Sequence, residues 1–171
     1  GSNVADELSK NGHEVTIFDK KKSKWLRSDQ KMYLGDLLNY KIFKNVVRNS
    51  DCVFHFAAFA DLDQALKEPI KTVNTNILGT VYALELCKKF KVKRFIHAST
   101  IYVNSIEGGF YRSSKRAAED YVEEFKKMHN LDYTILRFGS LYGEHSGDTN
   151  GVKKIVKGAL LNKKIIYEGN K

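Results

Sequence analysis

The sequence predicts an α/β fold in which a doubly wound parallel sheet carries helices on both of its faces. Along the 171 residues, short β-rich runs alternate with longer segments whose apolar residues recur at helical spacing. The run at 52–56 is apolar apart from one histidine, which is typical of a strand covered on both faces. Strands that alternate with helices in this way form βαβ units, and the strands of such units are parallel.

The individual elements follow from these two periodicities and from the residues that end them. The chain begins inside a helix, because Val4, Ala5 and Leu8 recur at helical spacing and Asn11-Gly12 follows as a stop. The longest helical pattern begins at Pro69, a residue favoured in the first turn of a helix. The predicted strands are 14–18, 32–34, 52–56, 94–98, 133–137 and 164–167, and the further predicted helices are 39–49, 69–90, 111–129 and 152–162.

No strand precedes the first helix, and this order predicts a sheet that lacks its first strand, which would be a central one. The initial Gly1-Ser2 is either a tag remnant or the start of a fragment. The best candidate boundary between domains is the glycine-bearing stretch 143–151. The sequence thus predicts one domain over residues 1–143 and the start of a second over residues 144–171.

The chain is strongly basic, because 29 lysines and arginines outnumber 20 acidic residues and give a net charge of +9. Such a charge permits a nucleic acid, an anionic membrane surface or a phosphorylated ligand as partner. The densest run, at 20–24, is either a phosphate-contacting patch or a solvated loop. The other lysines are dispersed over several predicted helices, which favours solubility over a groove-shaped footprint. We therefore expect neither a nucleic acid nor a membrane as partner.

The sequence contains no recognisable membrane span, signal peptide or metal-binding motif, and this bears on the location of the protein and on its metal content. No apolar run approaches the roughly 20 residues of a membrane span, and no signal peptide is visible. Cys52 and Cys87 have neither metal-ligand nor redox spacing, so a cytoplasmic protein is the simpler prediction. His55 and His97 lie on apolar strands, where hydrogen-bonded core histidines are commoner than metal ligands, and we expect no metal site.

Acidic, small and amide residues cluster where the predicted strands end, which is where ligands of such sheets bind. Asp19 closes a strand 18 positions after Gly1, and an acid at this distance from a phosphate-binding turn can hold the hydroxyls of an adenosine ribose. Gly1 would then lie at a helix N-terminus, which favours anions, although the earlier glycines of such a turn are absent. Asp19 alone is also compatible with an ordinary loop acid.

A second group of residues is suited to proton transfer. Tyr111 and Lys115 are four positions apart at the start of a predicted helix and therefore share one face. A nearby cation lowers the pKa of a phenol, which then exchanges a proton with a substrate hydroxyl near neutral pH. Ser99 and Thr100 follow the preceding predicted strand, and their hydroxyls could bind the same substrate oxygen.

The chain resembles the extended short-chain dehydrogenase/reductases, the NAD-dependent sugar epimerase/dehydratase family, and the resemblance implies a Rossmann-like fold. It runs nearly end to end, although each matching motif alone is modest. The matching stretches are Gly1–Leu8, Val15–Asp19, Gly35–Leu37, Phe54–Ala58, Asn74–Thr80, Arg94–Thr100, Tyr111–Glu119, Leu136–Phe138 and Leu141–Gly143.

The resemblance implies NAD as cofactor and assigns residues 1–143 to its binding domain and residues 144–171 to the start of a substrate-binding domain, most of which the chain lacks. It implies that Tyr111 is the acid/base, that Lys115 binds the nicotinamide ribose, and that Thr100, or else Ser99, orients the substrate. Ser140 stands where many members have a substrate-binding asparagine. The other implied cofactor contacts are Gly1 at the pyrophosphate, Asp19 and Lys20 at the adenosine ribose, Asp36 and Leu37 at the adenine, Phe56, Ala57, Ala58 and Phe59 along the cofactor, Asn76 supporting that loop, and Phe138 near the nicotinamide.

Two departures from the family pattern bear on function. Thr100 and Tyr111 are only 11 positions apart, fewer than is usual. Family dehydratases carry an Asp-Glu pair just after the threonine, whereas Ile101 and Tyr102 follow here. The expected activity is therefore epimerisation of a nucleotide sugar, and the alternatives are a carbonyl reductase or decarboxylase, or a non-catalytic NAD(H)-binding or nucleic-acid-associated domain. Family members are often dimers, so a homodimer through the helices at 76–90 and 111–129 is a further expectation.

Overall fold

The computed structural model of the protein describes residues 1–147, 150–163 and 165. All but the last of the predicted strands are present, and most of the strand predicted at 164–167 lies outside the described residues. The strands are β1 (Val15–Asp19), β2 (Gln30–Leu34), β3 (Cys52–His55), β4 (Arg94–Thr100) and β5 (Asp132–Phe138). The helices are α1 (Ser2–Lys10), α2 (Tyr40–Val47), α3 (Leu62–Lys67), α4 (Pro69–Val73), α5 (Gly79–Phe90), α6 (Gly109–His129) and α7 (Gly151–Asn162).

All the strand pairs are parallel, as the alternation of strands and helices predicts. β1 pairs with β2, with Asp19 opposite Leu34 at the carboxyl end. The other three strands form a second sheet in the order β3-β4-β5, with Thr100 opposite Phe138. Among the described residues no strand joins β1 to β3, so the sheet is interrupted where the sequence predicts a missing central strand.

Side chains of β3 alternate between two faces of the sheet, as the period of a strand requires. Val53 packs against the hydrophobic core, whereas its neighbour Phe54 lines a groove together with residues of α1. The core lies between the strands and helices α2, α5 and α6, and Leu84, Leu86 and Phe95 at its centre are fully buried. The helices thus cover both faces, as a doubly wound sheet requires.

The helix predicted at 69–90 is correct in extent but not in its internal geometry. It begins with α4, widens into a π-helical turn over Asn74–Leu78, and continues as α5. A π turn shifts the backbone hydrogen bonds from i+4 to i+5, and such turns occur frequently at functional sites. Helix α3 was not predicted, because six residues are too few to show a helical period. Within the described residues, no helix has the length and apolar character that a membrane span requires.

Candidate active site

The carboxyl ends of β1 and β2 bring together the first group of predicted site residues. Gly35 N–H donates to the Asp19 carbonyl over 3.0 Å, so the two strand ends are tied to each other. The Asp19 side chain is exposed, and its carboxylate lies near Gly1, the N-cap residue of α1. A carboxylate and a helix N-terminus therefore face the same end of the sheet.

Asp36 and Lys20 form an ion pair just beyond these strand ends. Lys20 Nζ lies 2.9 Å from Asp36 Oδ2, and Leu38 N–H donates to Asp36 Oδ1 over 2.9 Å. Burial opposes ionisation of Asp36, but the Leu38 hydrogen bond and Lys20 bring the pKa of its carboxyl below the usual value. Leu37 is 6% exposed and packs in the core, so a ligand at this end would meet mainly its backbone.

Aromatic and small residues form the carboxyl ends of β3 and β5. The rings of Phe56 and Phe138 meet edge to face, with centroids 6.3 Å apart. A Cβ atom added to Gly1 would lie 3.8 Å from the Phe56 ring, so the start of α1 lies beside this strand end. Ala57 is exposed and Ala58 partly so, and neither carries a side chain large enough to keep a ligand from the backbone.

Asn76 holds the segment after β3 against helix α6. It lies in the π-helical turn and is 1% exposed. Its Oδ1 accepts from Phe59 N–H over 2.6 Å, and its Nδ2 donates to the Phe59 carbonyl over 3.0 Å and to Ser114 Oγ over 2.9 Å. Ser114 in turn donates to the Tyr111 carbonyl over 2.8 Å. One amide thus connects the strand end to the helical turn that carries the tyrosine.

Thr100 lies next to Tyr111, whereas Ser99 lies next to Glu119. Ser99 and Thr100 are the last two residues of β4, rather than following it as expected from the sequence. The Thr100 hydroxyl lies near enough to the Tyr111 phenol to lower its pKa, and its Oγ1 accepts from Tyr102 N–H over 3.3 Å. Ser99 lies beside the Glu119 carboxylate, although its buried Oγ meets no partner at hydrogen-bond geometry. The structure therefore separates the preferred residue, Thr100, from the fallback, Ser99.

The pKa of Tyr111 departs from the sequence-based expectation. Burial raises the pKa of the phenol above its usual value, the Thr100 hydroxyl lowers it in part, and Tyr102 raises it further. The expected lowering by Lys115 is absent, because Lys115 is not among the groups that shift the pKa of the phenol, and burial has the largest effect. A tyrosinate at this position requires additional positive charge.

Lys115 is buried beneath Tyr111 on the same face of α6, and is 2% exposed. Burial lowers the pKa of its ammonium to about 8, and Glu119, one helical turn further on, raises it in part. Glu119 is itself 2% exposed and accepts two hydrogen bonds from Arg137, Nε to Oε1 at 3.0 Å and a terminal nitrogen to Oε2 at 2.7 Å. A lysine that titrates near neutral pH is suited to an active site.

The sequence did not predict Glu119, Arg137 or Ser114 as site residues. Glu119 offered a signal, since it falls on the buried stripe of its helix one turn after Lys115. Arg137 lies on another strand, and only the parallel pairing brings it to that helix. Ser140 is exposed beyond the end of β5, where the structure gives it no link to the other site residues among those described.

The two strand histidines lie in the core behind Lys115. His55 Nε2 is 3.1 Å from Thr80 Oγ1, as expected for a satisfied core histidine. His97 is fully buried, but neither of its ring nitrogens has a partner among the described residues, so the expectation of a satisfied histidine is wrong there. Burial, followed by Lys115, lowers the pKa of His55 to about 3 and that of His97 to about 2.

The chain is similar in sequence to proteins that are named as dehydratases and epimerases of nucleotide sugars. The dTDP-D-glucose 4,6-dehydratase of Dictyostelium discoideum is 32% identical over 165 positions, which cover 81% of this chain and 38% of that protein. The UDP-glucose 4-epimerase of Lactobacillus helveticus is 24% identical over 94% of this chain and 57% of its own length. This chain therefore spans about two fifths to three fifths of these relatives.

Solved structures of epimerases share the fold. The UDP-glucose 4-epimerase of Thermotoga maritima, solved with UDP-glucose, has a TM-score of 0.86 and 28% identity over 99% of this chain and 63% of its own. The Thermus thermophilus enzyme, solved with NAD, has a TM-score of 0.83 at 24% identity, covering 93% of this chain and 58% of its own. The profile of the NAD dependent epimerase/dehydratase family matches residues 1–170. The chain therefore belongs to the NAD-dependent epimerase/dehydratase family.

Proposed function

We propose that the intact protein epimerises a nucleotide sugar, with Tyr111 as the proton-transferring group. The observation that carries this proposal is the contact between the Thr100 hydroxyl and the Tyr111 phenol at the carboxyl edge of the sheet, with the buried Lys115 one helical turn further on. This edge is where a doubly wound sheet binds its ligands. The likeness to the Thermotoga maritima epimerase, solved with UDP-glucose, supports the choice of substrate class.

The residues at this edge fit NAD by their chemistry. The N-terminus of α1 at Gly1 favours the charge of a pyrophosphate, and the exposed carboxylate of Asp19 can accept hydrogen bonds from ribose hydroxyls while repelling a 2′-phosphate. We assign Lys20 and Asp36 to the adenosine end, with Leu37 contributing its backbone. Towards the nicotinamide end we assign 56–59, held by Asn76, together with Lys115 and Phe138. When bound, NAD supplies hydride abstraction and return.

The protein's own chemistry is the transfer of one proton. Tyr111 Oη, as the tyrosinate, takes the proton of the substrate hydroxyl, and returns it when the carbonyl is reduced again. We assign Thr100 Oγ1 to orienting that hydroxyl, because it lies beside the phenol. We assign to the Lys115 ammonium, one helical turn away, the positive charge that a tyrosinate needs during the reaction, although Lys115 is not among the groups that shift the pKa of the phenol in this structure. Ser140 would contact the sugar from the segment after β5.

The residues after Thr100 favour epimerisation over dehydration. Elimination of water needs an acid and a base besides the tyrosine. The turn that follows Thr100 consists of Ile101–Asn104 and carries no carboxyl group. Dehydration remains the second candidate because the Dictyostelium discoideum relative, at 32% identity, is a dehydratase. Product analysis distinguishes the two: an epimerase gives an isomer of its substrate, whereas a dehydratase gives a product that has lost one water. Neither reaction consumes net NAD, whereas a reductase would consume NADH.

Tyr111→Phe tests the proposal in the intact protein. Removal of the phenol oxygen is expected to lower kcat by about 10²-fold to 10⁴-fold, the usual contribution of a general acid or base. Tyr33→Phe is the matched control, because Tyr33 lies on β2 with 52% of its surface exposed. Full activity of the Tyr111→Phe enzyme would remove Tyr111 from the mechanism.

Two further features of the proposal concern the whole protein. We propose that residues 1–143 form the NAD-binding domain and that 144–171 begins the substrate-binding domain. Helix α7 supports this division, because none of its residues is buried against the first domain. We also propose a homodimer through the helices at 76–90 and 111–129. The exposed apolar side chains of Leu78, Tyr121 and Met128 on these helices support that surface.

A further inference from the structure

A buried carboxylate lies one helical turn beyond Lys115. Glu119 and Lys115 are each 2% exposed, although charged side chains are almost never buried unless they are paired. Arg137 of β5 pairs with Glu119 and donates a hydrogen bond to each of its carboxylate oxygens, over 3.0 and 2.7 Å. A bidentate pair of this kind fixes direction as well as charge. The carboxylate is therefore held in one place, one helical turn beyond the lysine.

The surroundings of Glu119 keep it ionised. Burial alone would raise the pKa of this carboxyl, but the hydrogen bonds from Arg137 lower it. The nearby Ser99 hydroxyl and the charges of Arg137 and Arg116 add to this, so that the pKa lies below its usual value. Arg137 reaches the pair from the surface, with 41% of its side chain exposed. A permanent negative charge therefore remains inside the protein at neutral pH.

The other titratable groups that face Lys115 carry no charge at neutral pH. His55 faces it from β3 and His97 from β4, and both imidazoles stay neutral because burial and Lys115 itself lower their pKa values to about 3 and about 2. Tyr111, on the preceding turn of α6, has a raised pKa and is also neutral in this state. Among the described residues, Glu119 is the group whose charge raises the pKa of Lys115 against the effect of burial.

We propose that Glu119, clamped by Arg137, is a positioning residue that holds Lys115 as an ammonium at the base of the site. Glu119 contacts neither Tyr111 nor the substrate-binding edge, and acts through the lysine. Its consequence for catalysis rests on the proposed function, since only an ammonium at Lys115 favours the tyrosinate. Its effect on the lysine itself is independent of that function and can be measured without substrate.

The test is an NMR titration of Lys115 in the intact protein, with lysine labelled with ¹³C at Cε and the signal assigned by Lys115→Met. In Glu119→Gln the pKa of Lys115 should fall by about one unit, because an opposite charge at close range has been removed and Arg137 is left unbalanced. Glu119→Asp keeps the charge and should retain most of the wild-type value. Glu124→Gln is the matched control, since Glu124 pairs with Lys127 on the exposed side of the same helix and should leave Lys115 unchanged.

A double variant guards against failure to fold. Removal of one partner of a buried pair destabilises a protein, whereas replacement of both partners is often nearly neutral. Glu119→Gln combined with Arg137→Gln should therefore fold, and Lys115 should again titrate at lower pH. A Lys115 pKa that stays at its wild-type value in a folded variant would overturn the inference.

Catalysis provides an independent readout. In Glu119→Gln the alkaline limb of kcat/KM should move to lower pH by the same amount as the NMR titration. An unshifted Lys115 contradicts the role of Glu119 and leaves the proposed function intact. Full activity in Tyr111→Phe contradicts the proposed function and leaves the titration of Lys115 as it is, so the two failures are distinguishable.

Discussion

Replacement of Asn76 by alanine should loosen the connection between the segment after β3 and helix α6. The change removes three side-chain hydrogen bonds, two to the backbone of Phe59 and one to Ser114. Each such bond contributes about 1 kcal/mol net, so the free energy of unfolding should fall by about 3 kcal/mol. For a chain of this length a loss of 1 kcal/mol lowers Tm by about 2–4 °C, which predicts a fall of about 6–12 °C.

Urea unfolding of the intact protein, followed by circular dichroism, measures this loss. Asn45→Ala is the control, because Asn45 is an exposed amide on α2 whose replacement should change the free energy of unfolding by at most about 0.5 kcal/mol. A loss of less than 1 kcal/mol in Asn76→Ala would refute the reasoning. It would mean that the segment after β3 keeps its position without the amide.

The buried histidines and thiols give two more predictions. In the folded protein the pKa values of His55 and His97 are about 3 and about 2. Between pH 6.5 and pH 5 these two histidines are therefore protonated only in the unfolded chain. The free energy of unfolding should fall by about 2 kcal/mol for each histidine from pH 7 to pH 5. His97→Leu should roughly halve that fall, whereas His13→Leu, at an exposed position, should leave it unchanged. The free energy of unfolding is measured by urea at several pH values, and the same pH dependence in both variants would contradict the prediction. Burial raises the pKa of Cys87 to about 12, so an aromatic disulfide reagent at pH 8 should label this thiol only after denaturation, and rapid labelling of the native protein would contradict its burial.

Features that depend on near neighbours in the sequence could be predicted. The strand over Val15–Asp19 and the helix over Gly109–His129 lie within two residues of their predicted bounds, because apolar periodicity records which face of an element is buried. The family resemblance placed Thr100 and Tyr111 in one site, and the structure brings the two together. Their roles in catalysis stay predictions.

Features that depend on tertiary structure could not be predicted. The raised pKa of Tyr111 reflects how much of the phenol the fold removes from water, which spacing along a helix does not record. The Glu119–Arg137 pair joins residues 18 positions apart on different elements, and only the sheet brings them together. The π turn at Asn74–Leu78 has no local signature either, since its sequence also suits an ordinary helix.

Because of the π-helical turn at Asn74–Leu78, the number of residues in this helix matters for the position of Asn76. A helix advances by about 100° per residue, so deleting one residue between Asn76 and α5 would restore the regular winding and rotate the amide by about that angle relative to α5. The amide would then no longer point at Phe59, while the core side chains of α5 stayed in place. The contact between Asn76 and Phe59 thus depends on the one extra residue of the π turn. Deletion of a residue here should lower the free energy of unfolding as much as substitution of the asparagine itself.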